Sequence, residues 1–141
     1  MSAEAFLDTN VLLYHIDQSD ARKHAIAERI VRDAVATEAA VISGQVVNEF
    51  LNVVLRKAQL RLAPASARAY LDVVLSPLLR ELPSPALQRR GLLLHERFGF
   101  AFYDSLIVAA ALEAGCKRLL SEDLQHGQRI DGLRIENPFR A

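Results

Sequence analysis

Cysteine and tryptophan are nearly missing from this chain of 141 residues: Cys116 is the only cysteine, and there is no tryptophan. A lone thiol excludes an internal disulfide and a zinc site built from thiolates. The most apolar stretch, 106–112, is far shorter than the roughly 20 residues needed to cross a bilayer. Because the segment 1–6 has no basic start and no long apolar run, we expect no signal peptide and a cytoplasmic location.

An excess of charge of either sign is missing too. The 17 Lys and Arg residues balance the 17 Asp and Glu residues, so the formal net charge is zero. This balance excludes a histone-like basic protein and an acidic tail, although a local basic patch can exist within a neutral chain. Apolar residues make up 51% and charged residues 24% of the chain, which is typical of a folded protein. The length favours one domain spanning residues 1–141.

Short apolar runs alternate with amphipathic stretches along the chain. We predict strands over residues 5–7, 40–42, 79–82, 117–121 and 134–136. We predict helices that begin at the caps Asp20, Ser43 and Ser84, a helix from Pro64 to Pro77, and a buried helix from Asp104 to Ala114. Strands that alternate with helices favour an α/β fold with a parallel sheet covered on both faces. The ligand site of such a sheet lies beyond the carboxyl ends of its strands.

Four acidic residues lie in apolar surroundings, unlike the acids on helix surfaces. Asp8 follows the first predicted strand, and Asp123 follows the fourth. Asp104 begins the most apolar helix, and Glu49 lies about two turns into the helix after the second strand. If the chain builds the sheet outward in both directions from a central strand, all four acids would lie at one edge of the sheet. Taken singly, however, an Asp at a strand end is usually a cap or a turn residue.

A cluster of carboxylates needs a counter-charge, because two like charges roughly 4 Å apart repel by about 4 kcal/mol at an effective dielectric constant of about 20. No Lys or Arg follows Asp8 within ten residues, and none lies within six residues of Glu49. A hard divalent cation with oxygen ligands is the natural counter-ion. Since Mg²⁺ commonly binds substrate phosphate as well, the pattern indicates phosphoryl chemistry in which the metal activates water.

Other patterns carry less information. The four histidines show no metal-binding spacing, and the chain has no glycine-rich phosphate-binding motif. Two basic pairs, Arg22-Lys23 and Arg56-Lys57, are candidate contacts for an RNA backbone, because Arg binds phosphate through two parallel hydrogen bonds. Either pair is also typical of a solvated helix face.

The segments that carry the four acids resemble the motifs of the PIN-domain family, in particular those of the VapC-like ribonuclease toxins of toxin–antitoxin pairs. The segments are FLDTNVLLY (6–14), SGQVVNEF (43–50), YDSLIVAAAL (103–112) and LLSEDLQHG (119–127). The ending ENPF (136–139) is also similar to the usual ending of the family. The motifs follow one another in the family's order nearly from end to end, although residues 60–99 carry none.

The resemblance implies a three-layer α/β/α fold with a five-stranded parallel sheet. It implies an endoribonuclease that uses Mg²⁺ or Mn²⁺ to cleave single-stranded or looped RNA, and water attack in line would leave a 3′-hydroxyl and a 5′-phosphate. The residues it assigns to catalysis and metal binding are Asp8, Glu49, Asp104 and Asp123, supported by Thr9, Asn10 and Ser121. Members of the family commonly form homodimers and are inhibited by a cognate antitoxin protein.

Three alternatives stay open on the sequence. A housekeeping PIN-domain nuclease that processes RNA would carry the same motifs. A haloacid-dehalogenase-like phosphatase has a similar strand-Asp-x-x-Val-Leu segment, but its general acid would stand where this chain has Asn10. A non-catalytic binding module would keep the fold and use its groove for a protein partner, although here all four acids are present.

Overall fold

A mostly parallel sheet forms the centre of the computed structural model, which describes residues 3–141. Its strands are β1 (Ala5–Leu7), β2 (Ala40–Ser43), β3 (Leu79–Glu81), β4 (Arg118–Leu120), β5 (Arg129–Ile130) and β6 (Leu133–Glu136). Their order across the sheet is β3-β2-β1-β4-β6-β5. All neighbouring strands are parallel except β5 and β6. The predicted five parallel strands are therefore confirmed, and one antiparallel edge strand is added.

The added strand, β5, arises from a tight hairpin. Asp131 and Gly132 join β5 to β6 with φ angles of 49° and 89°, and Ile130 pairs with Leu133. Two consecutive positive φ angles are the mark of a two-residue turn that suits antiparallel strands, and Asp-Gly is a favoured sequence for it. The turn signal was present in the sequence, but a two-residue strand is too short for an alternating pattern to reveal it.

Helices connect the strands and cover the sheet. They are α1 (Thr9–Ile16), α2 (Ala21–Thr37), α3 (Gly44–Arg56), α4 (Pro64–Tyr70), α5 (Ser76–Leu78), α6 (Pro85–Phe98) and α7 (Phe102–Glu113), with a 3₁₀ turn at Ala58–Leu60. The path from β1 through β2 to β3 moves outward in one direction, and the chain then returns to β4 on the other side of β1. Because such crossovers are right-handed, α6 and α7 cover the face opposite α1 to α5. This is the predicted three-layer arrangement.

Helix α1 has no counterpart in the sequence prediction. The Asp8 side chain accepts a hydrogen bond from the Thr9 N–H and caps the helix, which buries Val11 and Leu12. The segment is short and follows the apolar run of β1 closely, so the apolar pattern does not separate the helix from the strand. It matters for the site because it turns the chain sharply just after the first strand.

The helical stretch that begins at Pro64 continues one residue beyond its predicted end at Pro77, and it contains a π-helical turn that the sequence did not predict. A π-helical turn at Leu71–Leu75 follows α4, and α5 carries the chain on to Leu78. In the π-helical turn the Ser76 N–H donates to the carbonyl of Leu71. Pro77 then stands in the first turn of α5, where its missing N–H is tolerated.

The remaining helix ends follow the sequence prediction. Three predicted caps accept backbone hydrogen bonds, namely Asp20 from the Lys23 N–H, Ser43 from the Val46 N–H and Ser84 from the Leu87 N–H. Gly99 ends α6 with a positive φ of 75°. The helix predicted from Asp104 begins two residues earlier, at Phe102, and it is buried along most of its length as expected.

Helices α6 and α7 approach each other closely at Gly91. A Cβ atom at this position would lie 2.8 Å from Cδ2 of Leu106, which is shorter than the contact distance between two nonbonded carbon atoms. The missing side chain of Gly91 thus lets α6 pack directly against Leu106 of α7. Within residues 3–141, no helix is both long enough and apolar enough to span a membrane.

We predict opposite stability changes at two left-handed helix ends. Glu38 ends α2 with a φ of 59°, where an L-residue with a side chain is strained by roughly 1 kcal/mol. Glu38→Gly should therefore raise the free energy of unfolding by up to about 1 kcal/mol, and Gly99→Ala should lower it by a similar amount. Urea unfolding of the three proteins measures both changes, and a decrease for Glu38→Gly would contradict the argument.

Candidate functional site

The candidate site lies where the strand order reverses, beyond the carboxyl ends of the adjacent strands β1 and β4. Asp8 follows β1 directly, and Ser121 follows β4. The Asp8 N–H donates to the carbonyl of Leu120 at 3.0 Å, so the two strand ends are fixed to each other. A reversal of strand order opens a crevice between the chains that leave the sheet in opposite directions.

The Asp8 carboxylate is the buried centre of the site, with 6% of its surface exposed. One oxygen, Oδ1, accepts from the Thr9 N–H at 2.7 Å. The other, Oδ2, accepts from the Ser121 hydroxyl at 2.8 Å. Both oxygens are thus oriented by short hydrogen bonds, one from the start of α1 and one from the end of β4.

Asn10 and Ser121 hold Asp123 beside this carboxylate. The Asn10 amide nitrogen donates to Oδ2 of Asp123 at 3.2 Å, and its amide oxygen accepts from the Glu122 N–H at 3.1 Å. The Ser121 hydroxyl oxygen accepts from the Asp123 N–H at 3.1 Å while it donates to Asp8. These two neutral side chains connect the turn after β4 to the start of α1.

Glu49 reaches the site from α3. Its Oε1 accepts from the Thr9 hydroxyl at 3.1 Å and from the Gln45 amide at 3.4 Å. Gln45 lies one helical turn before Glu49, and its amide also donates to the carbonyl of Tyr103 at 3.0 Å. Gln45 therefore ties α3 to the first turn of α7, where Asp104 follows Tyr103 and is half-buried.

Repulsion between neighbouring charges links the four carboxylates pairwise. Burial raises the pKa of Asp8 to about 6, against the opposing effect of its two hydrogen bonds, and the charges of Asp123 and Glu49 raise it further. Burial is also the main cause that raises the pKa of Asp104, with the charge of Asp123 adding to it. We call Asp8, Glu49, Asp104 and Asp123 the acidic cluster.

The donor set of the acidic cluster fits a hard divalent cation. All of its side-chain donors are oxygens, and no member forms an ion pair with Lys or Arg in residues 3–141. In that same part of the chain, no three acidic, His or Cys side chains already converge on one point at ligand distance. The carboxylates are linked to one another through Thr9, Asn10 and Ser121 and through their charges.

The basic residues predicted to contact RNA lie in different places. Lys23 pairs with Glu122, next to Asp123, and also donates to the Tyr14 hydroxyl. The Arg22 guanidinium donates to the carbonyl of Phe139. Arg56 and Lys57 are exposed at the far end of α3, about 10 Å along the helix axis from Glu49. The structure therefore brings Lys23 near the acidic cluster and leaves the Arg56-Lys57 pair apart from it.

Sequence reasoning missed two residues that shape the site, Gln45 and Tyr103. Both line a groove of about 570 Å³ between α3 and the α6–α7 pair, which adjoins the acidic cluster at Glu49. A signal existed for Gln45, since residues four apart on a helix lie on the same face. Nothing in the sequence indicated that the Tyr103 carbonyl would meet α3.

The family model of the PIN domain matches residues 5–131 of the chain. The protein belongs to the PIN-domain family. The match covers every member of the acidic cluster as well as Thr9, Asn10 and Ser121.

Solved structures with this PIN fold include toxins and toxin–antitoxin complexes. The DNA-bound VapBC of Salmonella typhimurium is 22% identical, with a TM-score of 0.66 over 96% of this chain and 98% of that one. VapBC2 of Rickettsia felis, bound to a promoter DNA fragment, is 22% identical, with a TM-score of 0.65 over 94% and 97%. VapC20 of Mycobacterium tuberculosis, a toxin that cleaves the sarcin–ricin loop, is 22% identical, with a TM-score of 0.60 over 85% and 92%. Among curated proteins, no sequence matches.

We predict that the metal-free PIN domain becomes more stable as the pH falls from about 7 to about 5. Because burial raises the pKa of Asp8 from 3.8 to about 6, the folded protein binds a proton that the unfolded chain releases. Above about pH 6 the charged, buried carboxylate costs roughly 3 kcal/mol of stability, and protonation relieves this cost.

Asp8→Asn should therefore stabilise the protein at about pH 7 and flatten the pH dependence, since the amide retains the helix cap without the charge. Thermal unfolding in EDTA over this pH range makes the measurement. Asp72→Asn is the matched control, because Asp72 is an exposed acid outside the site. An unchanged slope in Asp8→Asn would contradict the prediction.

Proposed function

We propose that this PIN domain is an endoribonuclease that depends on Mg²⁺ or Mn²⁺ and serves as the toxin of a toxin–antitoxin pair. One observation carries the proposal: four carboxylates from four separate segments are linked by hydrogen bonds and by their charges at the reversal of strand order, and none of them pairs with Lys or Arg in residues 3–141. Such a site favours a divalent cation and, through it, the phosphate of a nucleic acid.

Family membership and fold support this reading. PIN domains of the VapC type are nucleases, and VapC20 of Mycobacterium tuberculosis is a toxin that cleaves the sarcin–ricin loop. Other structures of the same fold are complexes of a toxin with its antitoxin. We infer by analogy that RNA is the substrate of this chain and that a cognate antitoxin inhibits it in the cytoplasm.

In the proposed mechanism, Asp8 and Asp104 would hold the cation most directly, and Glu49 and Asp123 would complete the acidic pocket. When bound, the cation lowers the pKa of a water molecule and stabilises charge on the phosphate. The protein's own hydrogen bonds fix three of the carboxylates in place. Thr9 orients Glu49, Asn10 orients Asp123, and Ser121 orients Asp8. Attack by water in line with the leaving oxygen would give a 3′-hydroxyl and a 5′-phosphate.

A homodimer is the proposed assembly. Leu92 and Leu93 are 55% and 61% exposed on α6, and neighbouring exposed leucines favour a protein contact. Light scattering on the eluting protein would show twice the mass of one chain. A monomer at micromolar concentration would speak against this assembly and leave the nuclease proposal unaffected.

The alternatives lose support to different degrees. A haloacid-dehalogenase-like phosphatase loses support because Asn10, which stands where that class has its general acid, bonds Asp123 and the Glu122 N–H instead. A housekeeping RNA-processing nuclease would share the whole site, and an antitoxin gene next to this one would separate that role from a toxin's. A binding module without catalysis would show no Mn²⁺ binding in calorimetry.

We predict that single amide substitutions in the acidic cluster abolish RNA cleavage. Asp8→Asn and Asp104→Asn each remove one negative ligand while they keep the side chain's shape, so activity with Mg²⁺ or Mn²⁺ should fall by at least about a hundredfold. EDTA should abolish cleavage by the unaltered protein. Gel analysis of RNA with mapping of the new ends measures both the rate and the 5′-phosphate.

The control for this experiment is Asp72→Asn, which removes an exposed acid of the π-helical turn and should cleave like the unaltered protein. Full activity in Asp8→Asn or Asp104→Asn would refute the proposed site. Cleavage that survives EDTA would refute the metal dependence.

A further inference from the structure

The groove beside the acidic cluster has an unusual lining for a protein that handles a polyanion. It lies between α3 and the α6–α7 pair, it contains no Lys, Arg or His side chain, and its charged residues are Glu49 and Glu81. Burial, followed by the charge of Glu113, raises the pKa of Glu81. A phosphate backbone gains nothing from such a surface, because like charges repel it and no cation attracts it.

Four uncharged amide side chains supply hydrogen-bonding groups to the walls of this largely apolar groove. Gln45, Asn48 and Asn52 lie along one face of α3, and Gln88 faces them from α6. Asn48, Asn52 and Gln88 are exposed to solvent, so their amides are available to a ligand. Each amide carries two donors and an acceptor, which is the chemistry that reads the edge of a nucleobase.

Tyr103 adds a flat aromatic surface at the end of the groove next to the acidic cluster. Its side chain is 67% exposed, while its carbonyl is held by Gln45 at 3.0 Å. The backbone beneath the ring is therefore fixed although the ring itself is open to solvent. Exposed tyrosines on fixed backbone are typical platforms for single-stranded bases, which stack on them.

We propose that the groove is a base-recognition subsite, in which the base of a nucleotide next to the cleaved phosphate stacks on Tyr103 and is read by Asn48, Asn52 and Gln88. This inference rests on the proposed ribonuclease function and extends it to the choice of RNA sequence. The groove adjoins the acidic cluster through Glu49, and Tyr103 directly precedes Asp104. A phosphate at the cluster would thus leave its neighbouring base within reach of the groove.

The absence of tryptophan gives a direct test of stacking. The chain has three tyrosines and no tryptophan, so its intrinsic fluorescence comes from Tyr14, Tyr70 and Tyr103. The protein is titrated in EDTA, which stops metal-dependent cleavage, with a random-sequence single-stranded RNA octamer. A parallel titration uses an abasic octamer of the same length and charge. We expect saturable quenching of tyrosine emission by the RNA and none by the abasic octamer.

Variants assign the quenching to one ring. Tyr103→Phe keeps the stacking surface but removes the fluorophore, so quenching should vanish while the affinity for labelled RNA stays within about twofold. Any decrease in emission that remains in Tyr103→Phe measures the light absorbed by the bases and is subtracted. Tyr103→Ala should weaken RNA binding by about tenfold. Val73→Ala, which shortens an exposed apolar side chain outside the groove, should behave like the unaltered protein.

Cleavage of a random-sequence RNA pool, followed by sequencing of the ends, tests the amides. Asn52→Ala and Gln88→Ala should relax the base preference at one position beside the cut, with less than about a tenfold loss of rate. Gln59→Ala, which changes an exposed amide outside the groove, should leave the preference unchanged.

The outcomes separate this inference from the nuclease proposal. Base-dependent quenching without any metal-dependent cleavage would support the subsite and refute the nuclease. Cleavage with equal quenching by the two octamers, or with the same base preference in all variants, would refute the subsite and leave the nuclease standing. Equal affinity for both octamers would show that the bases are not recognised and would also refute the subsite.

Discussion

The buried carboxylate of Asp8 is the constraint on which the site depends. It ends the first strand, caps the first helix and accepts the Ser121 hydroxyl from the neighbouring strand end. A charge with 6% exposure is costly to keep inside a protein, and hydrogen bonds offset only part of that cost. The raised pKa of Asp8 expresses this imbalance. A carboxylate in that state has a strong tendency to gain a proton or a cation.

Short neutral side chains transmit this constraint to the rest of the acidic cluster. Thr9, Asn10 and Ser121 each bond one acid while they belong to a segment that carries another. Three of the four like charges, those of Asp8, Glu49 and Asp123, are thereby held near one another by neutral hydrogen-bond donors. Repulsion between the carboxylates lowers the free energy of unfolding, which is common at functional sites.

Charge also divides the surface around the site into two parts with different chemistry. The acidic cluster suits a cation and, through it, phosphate, whereas the adjoining groove offers amides and an aromatic ring in place of positive charge. A nucleotide has the same two parts, an anionic phosphate and a neutral planar base. The zero net charge of the chain therefore says little about what the molecule can bind, because binding depends on how the charges are distributed.

Much of this molecule follows from local sequence. The alternation of apolar runs determined the parallel strands, the caps Asp20, Ser43 and Ser84 determined the helix starts, and four acids in apolar surroundings identified the candidate site. These features depend on interactions within a few residues or on periodic burial. Helix α1, the hairpin at Asp131 and the helical path through Pro77 escaped prediction because their apolar patterns are too short or are interrupted.

Tertiary structure alone decided which distant groups meet. Asn10 bonds Asp123 across more than a hundred residues of chain, Thr9 bonds Glu49, and Gln45 bonds the Tyr103 carbonyl. The same packing left Arg56 and Lys57 at the far end of α3 and created the groove between α3 and α6. Residue types and spacing establish which chemistry is available. The order of strands and the approach of helices determine which groups share a site, because distances between segments depend on packing rather than on position in the chain.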